Sequence, residues 1–209
     1  WFDRFKDVYL AIEHGAQFIQ LLGMTQLEMN SLEDGVKKYA QIWFRLDQRY
    51  RKFIHHARES GQASLLQDLN HLIENLYTNN FLVRLNDRWQ TFVDASVRWE
   101  AAPVVSQAQF FSCFVRPYLE RKTKVCVLIS DAFRYEIGEE LQSLIRREDR
   151  FDAELVPALS CMPSYTQLGM AALLPNQTLQ LVEDDSGLAL VDGQSSMGSA
   201  NRAKILAAT

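Results

Sequence analysis

The apolar residues of this chain change their spacing near residue 120, and this change constrains the fold more than any other feature. Before it, apolar residues recur every three or four positions, as on one face of a helix. After it, residues 124–129 form a nearly continuous apolar, partly β-branched run, typical of a strand buried on both faces of a parallel sheet. The sequence therefore predicts an α/β protein, with a helical bundle over residues 1–120 and the first part of a sheet domain over residues 121–209.

The helical half contains four amphipathic stripes. The longest follows Ser31 and Asp34, which are spaced much like a capping box, and Gly61 is placed to end its helix. We expect the stripes to bury one another as a core, and a partner-binding surface is the alternative. The stripes are Phe5, Val8, Ile12, Ala16 and Ile19; then Val36, Tyr39, Trp43, Leu46, Tyr50, Phe53 and Ala57; then Leu65, Leu69, Leu72 and Leu76; and then Leu82, Leu85, Trp89, Phe92 and Trp99.

Other residues of this half mark a break and a candidate interface. Asn79 and Asn80 are expected to separate the third helix from a fourth. Trp1, Phe2 and Trp99 are the residues expected to remain for an interface.

The second half alternates predicted helices and strands. Beyond residues 124–129, strands are predicted over residues 151–158, 178–182 and 187–191, and helices over residues 137–146, 166–173 and 201–207.

The composition is that of a soluble globular protein. Hydrophobic residues make up 47% and charged residues 23% of the chain, and the net charge of −4 does not favour a nucleic-acid-binding protein. No apolar run approaches the roughly 18 residues of a membrane span, so we expect no membrane association. Cys113, Cys126 and Cys161 lie far apart among apolar residues, which indicates reduced thiols in a cytoplasmic protein.

The first candidate site residue is Asp131, which directly follows the predicted strand at residues 124–129. Ligands collect at the carboxyl ends of strands in open α/β sheets, and a carboxylate there can bind a divalent cation. The alternative is that Asp131 only caps the helix that follows.

The second candidate is Thr166, in a segment that follows a predicted strand and opens a helix. A hydroxyl at a helix N-terminus faces free N–H groups and the positive end of the helix dipole, which suits contact with a phosphoryl group. The alternative is again ordinary capping, by Ser164 or by Thr166.

A carboxylate after one strand followed by a Pro-x-x-Thr helix start after the next resembles the beginning of the alkaline phosphatase superfamily. Three segments resemble, more specifically, the PglZ proteins of BREX phage-defence systems: VCVLISDAFRYEIGEEL, VPALSCMPSYTQLGMAALLPN and LALVDGQSSMGSANRAKIL. The resemblance covers residues 120–209, and the helical half is similar, more loosely, to the region preceding this domain in type A members.

The resemblance implies a metal-dependent phosphoryl-transfer hydrolase, either a phosphatase or a phosphodiesterase. Nucleic acid is one candidate substrate. Asp131 corresponds to the first metal-binding Asp, and Thr166 to a metal ligand and nucleophile that forms a covalent phosphothreonine. Ser164 is the alternative nucleophile. The implied cofactors are two divalent metal ions, zinc with manganese or magnesium as alternatives, and the implied partners are other BREX proteins. A non-catalytic scaffold that docks a partner through its helical half is the alternative function.

Two further residues belong to motifs of the family without an assigned role. Glu136 lies in the family signature and is interpreted either as a site residue or as the partner of Arg134 or Arg147 in a salt bridge. Asp192 opens an Asp-Gly-Gln-Ser-Ser stretch, which is interpreted as a flexible turn, with a phosphate-binding loop as the alternative.

The histidines limit what these residues can do alone. The four histidines, His14, His55, His56 and His71, all lie in the helical half, so the histidine ligands of the superfamily are expected beyond residue 209. The chain begins without Met and ends after a helical run, and we interpret it as an excerpt that binds metal weakly and does not turn over substrate by itself.

Overall fold

The computed structural model describes residues 2–131, 133–184 and 186–208, and Trp1 and Ala132, which belong to predicted features, lie outside them. Across these ranges, no helix is long and apolar enough to cross a membrane. The chain forms two compact units. A helical unit comprises Trp1–Val97 and Arg134–Leu155, and a mixed unit comprises Arg98–Phe133 and Val156–Thr209. The domain boundary near residue 120 stays a prediction, while the α/β class with a helical N-terminal part is confirmed.

The helical unit is built from six α-helices and two π-helical segments within its described residues. These are α1 (Phe2–Met24), α2 (Leu32–Lys38), a π segment (Tyr39–Trp43), α3 (Phe44–Glu59), α4 (Gln67–Asn75), a second π segment (Leu76–Val83), α5 (Arg84–Ala95) and α7 (Tyr135–Ile145). As predicted, the Ser31 side chain caps α2 by accepting a hydrogen bond from the Asp34 amide, and Gly61, with φ of +61°, follows the end of α3.

The longest stripe forms the core of this unit as predicted. Trp43, Leu46, Phe53 and Ala57 are buried, and Tyr39 and Tyr50 pack against them. The π segment Tyr39–Trp43 continues directly into α3, so the residues of this stripe lie along one uninterrupted helical run.

The predicted break at Asn79 and Asn80 is wrong. Both residues lie inside the π segment Leu76–Val83, which joins α4 to α5 without interruption. Tyr77 and Phe81 in this segment are buried in the core, and that packing outweighs the weak helix propensity of asparagine.

The first and third stripes are only partly buried, which corrects the core prediction. Ile12 and Ile19 of α1 are exposed, as are Leu65 and Leu72 near and within α4. The residues that point inward lie on adjacent positions, namely Ala11, Phe18, Leu66 and Ile73. Both faces of these helices carry apolar residues, so periodicity alone did not identify the buried one.

The mixed unit contains short elements. These are β1 (Val105–Ser106), a 3₁₀ turn (Gln107–Gln109), a π segment (Phe111–Val115), α6 (Arg116–Glu120), β2 (Ala158–Leu159), α8 (Thr166–Ala172), β3 (Leu179–Leu181), β4 (Ala189–Val191), β5 (Gln194–Ser195) and α9 (Gly198–Ala207). β1 and β2 pair in parallel, and β3, β4 and β5 form an antiparallel sheet in that order. The core of the mixed unit consists of Leu168, Ala171, Leu174, Ala189, Val191 and Ile205.

The predicted buried strand at residues 124–129 is not a strand in this structure. The segment is exposed, with Leu128 92% accessible, and it belongs to no strand ladder. A strand becomes stable only when neighbouring strands satisfy its backbone groups and other elements cover its faces, and the described residues provide neither. The strand predicted over residues 151–158 is likewise reduced to β2 at its end.

Candidate active site

Asp131 and Thr166 lie side by side in the mixed unit, although they are 35 residues apart in sequence. The Thr166 hydroxyl donates to the Asp131 carboxylate, with Oγ1 3.2 Å from Oδ2 and 3.4 Å from Oδ1. Both residues are exposed, so a ligand can reach the hydroxyl and the carboxylate from solvent. The two residues singled out from the sequence therefore form one polar pair.

The helix-capping alternatives for these residues are wrong. The N-cap of α7 is Arg134, and the N-cap of α8 is Tyr165; neither helix has a side-chain capping hydrogen bond. Asp131 consequently does not cap α7, and neither Ser164 nor Thr166 caps α8. The hydroxyl of Thr166, the first residue of α8, is directed to the Asp131 carboxylate instead.

Ser164 and Glu136 occupy different surroundings. Ser164 is exposed in the segment before α8. Glu136 belongs to the helical unit and is fully buried, with its Oε1 3.1 Å from Nε of Arg134 and 3.7 Å from Nε of Arg51. The ion pair with Arg134, one of the two predicted for Glu136, is therefore observed.

A buried polar network around Asp47 was missed by the sequence interpretation. Asp47 is 5% exposed and accepts hydrogen bonds from the hydroxyls of Tyr39 and Tyr77, the latter at 2.7 Å, while Arg134 lies 3.5 Å away. Burial, and then the Asp47 charge, raise the pKa of both tyrosines, so these hydroxyls stay protonated. The available signal was Asp47 itself, a carboxylate directly beside Leu46 in the longest stripe.

Asp192 lies in a tight, hydrogen-bonded turn between β4 and β5. Asp192 and Gly193 have φ of 48° and 79° and connect β4 to β5 as a two-residue loop, the pattern of a type I′ turn. The Asp192 carboxylate accepts hydrogen bonds from the amides of Gln177 and Thr178, at 3.0 and 2.7 Å. These bonds, from Thr178 first, lower the pKa of Asp192. The negative charge of this carboxylate would repel a phosphate, and it already accepts the nearby amide hydrogens, which argues against a phosphate-binding loop.

The Asp131–Thr166 pair fits part of a divalent metal site. Its carboxylate and hydroxyl oxygens are hard ligands that converge within 3.4 Å, and both are exposed. Among the residues that the structure describes, no group of three or more His, Cys, Asp and Glu side chains could hold a metal ion. A divalent cation takes at least four ligands, so these residues supply a portion of one site.

Comparison with known proteins finds a family match for residues 110–209. Residues 110–209 match the sequence model of the BREX system PglZ alkaline phosphatase-like domain. The chain is 41% identical over 177 residues to the alkaline phosphatase-like protein BrxZ of Escherichia coli O9:H4 (strain HS), covering 81% of this chain and 20% of that protein. It is 30% identical over 211 residues to the alkaline phosphatase-like protein PglZ of Bacillus cereus (strain H3081.97), covering 99% of this chain and 24% of that protein.

The chain thus spans about a fifth to a quarter of the length of these two relatives. No solved structure matches it. Over residues 110–209, the chain belongs to the family of PglZ alkaline phosphatase-like domains of BREX systems.

Proposed function

We propose that the protein to which this chain belongs is a metal-dependent phosphoryl-transfer hydrolase acting in phage defence, with Thr166 as its nucleophile and Asp131 as a metal ligand. The observation that carries this proposal is the hydrogen bond from the Thr166 hydroxyl to the Asp131 carboxylate, 3.2 Å long, between two separate family segments. Neither residue caps a helix, so helix capping does not account for the pair.

The chain's own residues can carry the first displacement. The Thr166 oxygen forms a bond to phosphorus, and the bond from phosphorus to the ester oxygen breaks, with its electron pair leaving on that oxygen. The hydroxyl proton is already directed to the Asp131 carboxylate and passes by way of it to solvent as the new bond forms, while the leaving ester oxygen takes up a proton from solvent. Attack of water on phosphorus then breaks its bond to Oγ1 of Thr166 and releases phosphate or a phosphomonoester, and a proton of the attacking water restores the hydroxyl.

Asp131 and Thr166 would hold a divalent cation through their oxygens, with zinc, manganese and magnesium as the candidates. A cation bound there supplies positive charge that lowers the pKa of the hydroxyl and neutralises the phosphoryl group. The remaining ligands of this cation, and the ligands of any second cation, are proposed to come from other parts of the protein.

The test is hydrolysis of a chromogenic phosphodiester and a matched phosphomonoester by the full-length protein with zinc or manganese. We expect Thr166→Ala to lower the rate about a thousand-fold or more, because it removes the attacking atom. Ser164→Ala is the matched control, since it removes an exposed hydroxyl two residues away, and its rate should stay within about twofold of wild type. A wild-type rate for Thr166→Ala, or a loss confined to Ser164→Ala, contradicts the assignment. The ratio of the two substrates decides between diester and monoester chemistry.

A second candidate function, docking of another BREX protein by the helical unit, is favoured by one observation. Ile19 and Leu76 line the same groove in the helical unit, and Arg84 lines it as well. Ile12 and Leu72, one to two turns before them on the same helices, are exposed. Apolar residues of neighbouring helices that stay in solvent are typical of a protein-binding surface.

This candidate is tested by Leu72→Glu in the full-length protein co-expressed with the other BREX proteins. We expect Leu72→Glu to weaken co-purification at least about tenfold, because it places a charge in an apolar interface. Glu74→Gln, an exposed change on the same helix, is the control. Equal co-purification of the wild-type protein and Leu72→Glu would exclude this part of the surface as a docking site.

A further inference from the structure

The sheet β3–β4–β5 has no role in the proposed displacement, although it contacts both chain neighbours of Thr166. The Tyr165 hydroxyl donates to the Gly187 carbonyl, just before β4, at 2.9 Å. On the other side, Nε2 of Gln167 donates to Oγ of Ser196, just after β5, at 3.1 Å. Thr166 therefore lies between two side chains that are both tied to the same small sheet.

Ser196 is a rigid acceptor for Gln167. Its side chain is fully buried, and its hydroxyl donates to the Ala189 carbonyl of β4 at 2.8 Å. This bond directs an oxygen lone pair of Ser196 towards Gln167 and uses its only proton. The buried Ser196 hydroxyl is consequently engaged within the fold and is not available to bind an external phosphate.

The tie to the sheet matters because α8 is short. Seven residues are too few to hold a helix in water without tertiary packing. Leu168 and Ala171 of α8 pack against Ala189 and Val191 of β4, which fixes the buried face of the helix. Leu168 thus anchors the first turn on its buried side, and the bonds of Tyr165 and Gln167 hold the turn on either side of the exposed Thr166.

We propose that Gln167 and Ser196 are positioning residues for the nucleophile, and that the type I′ hairpin β4–β5 is the rigid element that carries Ser196. This inference rests on the proposed function of Thr166. Loss of the Gln167–Ser196 bond loosens the exposed side of the first turn of α8, and the Thr166 hydroxyl then samples orientations away from Asp131. A displacement of about 1 Å at a reacting atom can cost about a hundred-fold in rate.

The kinetic test uses Gln167→Met in the full-length protein, since Met keeps the length of the side chain and removes its donor. We expect kcat for the chromogenic phosphodiester to fall about 10- to 100-fold while KM stays within about twofold, because only the orientation of the nucleophile changes. Gln180→Met, on the exposed face of β3, is the matched control and should keep the wild-type kcat. Ser196→Ala should lower kcat similarly, and the double variant Gln167→Met, Ser196→Ala should add little, because both changes remove the same bond.

A second measurement separates this inference from the proposed function. The side-chain order parameter of the Thr166 methyl group, measured by NMR in methyl-labelled full-length protein, should fall in Gln167→Met and stay unchanged in Gln180→Met. A wild-type order parameter together with a wild-type kcat in Gln167→Met overturns the positioning role. If the wild-type protein hydrolyses neither substrate, the proposed function fails, and the methyl comparison alone decides whether Gln167 orders Thr166.

Discussion

The two units place their carboxylates in opposite environments. Asp47 of the helical unit is buried and bonded by two tyrosine hydroxyls, with Arg134 nearby. Asp131 of the mixed unit is exposed and accepts a hydrogen bond from Thr166 at 3.2 Å. A buried carboxylate must be satisfied by the fold itself, whereas an exposed one keeps lone pairs accessible to a ligand. The contrast indicates that Asp47 stabilises the helical unit, and it agrees with the role proposed for Asp131 as a metal ligand.

The strongest test of this difference between Asp47 and Asp131 is to remove each carboxylate separately. Asp131→Ala should lower phosphodiester hydrolysis by the full-length protein about a hundred-fold or more, since even outer partners of metal ligands contribute up to that factor. Its free energy of unfolding should change by less than about 0.5 kcal/mol. Asp47→Ala should cost about 3 kcal/mol, because it leaves two tyrosine hydroxyls without their acceptor.

Urea unfolding followed by circular dichroism, together with the hydrolysis rate, checks both variants. Asp47→Asn, which keeps an acceptor oxygen, should lose less stability than Asp47→Ala. Equal loss of stability in the Asp131 and Asp47 variants would remove the distinction between the two carboxylates.

A smaller effect is expected from substitutions that test how tightly the helices of the helical unit pack. A Cβ at Gly35 would lie 2.9 Å from Cζ3 of Trp89 and 3.0 Å from Sδ of Met29, so Gly35→Ala should destabilise the protein by about 1–3 kcal/mol. Gly23→Ala is the matched control in α1, where the added Cβ would meet no atom within 4 Å beyond its chain neighbours and the backbone of its own helix, and it should stabilise by up to about 1 kcal/mol. Thermal unfolding of both variants measures these changes. Opposite signs are expected, and a destabilised Gly23→Ala with an unaffected Gly35→Ala would show that the helices pack differently.

The smallest effect concerns Asp192 and depends on pH. The amides of Thr178 and Gln177 lower the pKa of Asp192 in the folded state, so its contribution to stability is present above its unfolded pKa of about 4 and is lost as the pH falls through the lower folded value. Asp192→Asn also suits a turn with positive φ and cannot titrate. The melting temperature of wild type should exceed that of Asp192→Asn at pH 7, and the difference should shrink between about pH 5 and pH 3. A difference independent of pH would show that the carboxylate charge contributes nothing.

Much of the helical unit followed from spacing and turn chemistry. Trp43, Leu46 and Phe53 form the predicted core, and Ser31 caps α2 as expected. Leu65 and Leu72 were assigned to the core but are exposed, because α4 carries apolar residues on more than one face and only its neighbours select the buried one. The Asn79–Asn80 break failed for a related reason, since burial of Tyr77 and Phe81 overrides local propensity.

The local pattern identified the two positions of the candidate site, and only the family resemblance implied that they share one metal site. Asp131 and Thr166 were identified from their motifs, while their separation of 3.2 Å depends on how the chain folds between them. Gln167 and Ser196 carried no separate signal, because hydrogen bonds between side chains far apart in sequence leave no periodic pattern.

The sequence by itself determined the α/β class, the helical character of the first half and the motifs of the PglZ family, since these depend on local spacing and residue type. Tertiary structure alone decided which helix faces are buried, that the Thr166 hydroxyl bonds directly to the Asp131 carboxylate, and that residues 124–129 form no strand here. The physical reason is that a strand, a buried face and a polar pair each require partners distant in sequence, and only packing supplies those partners.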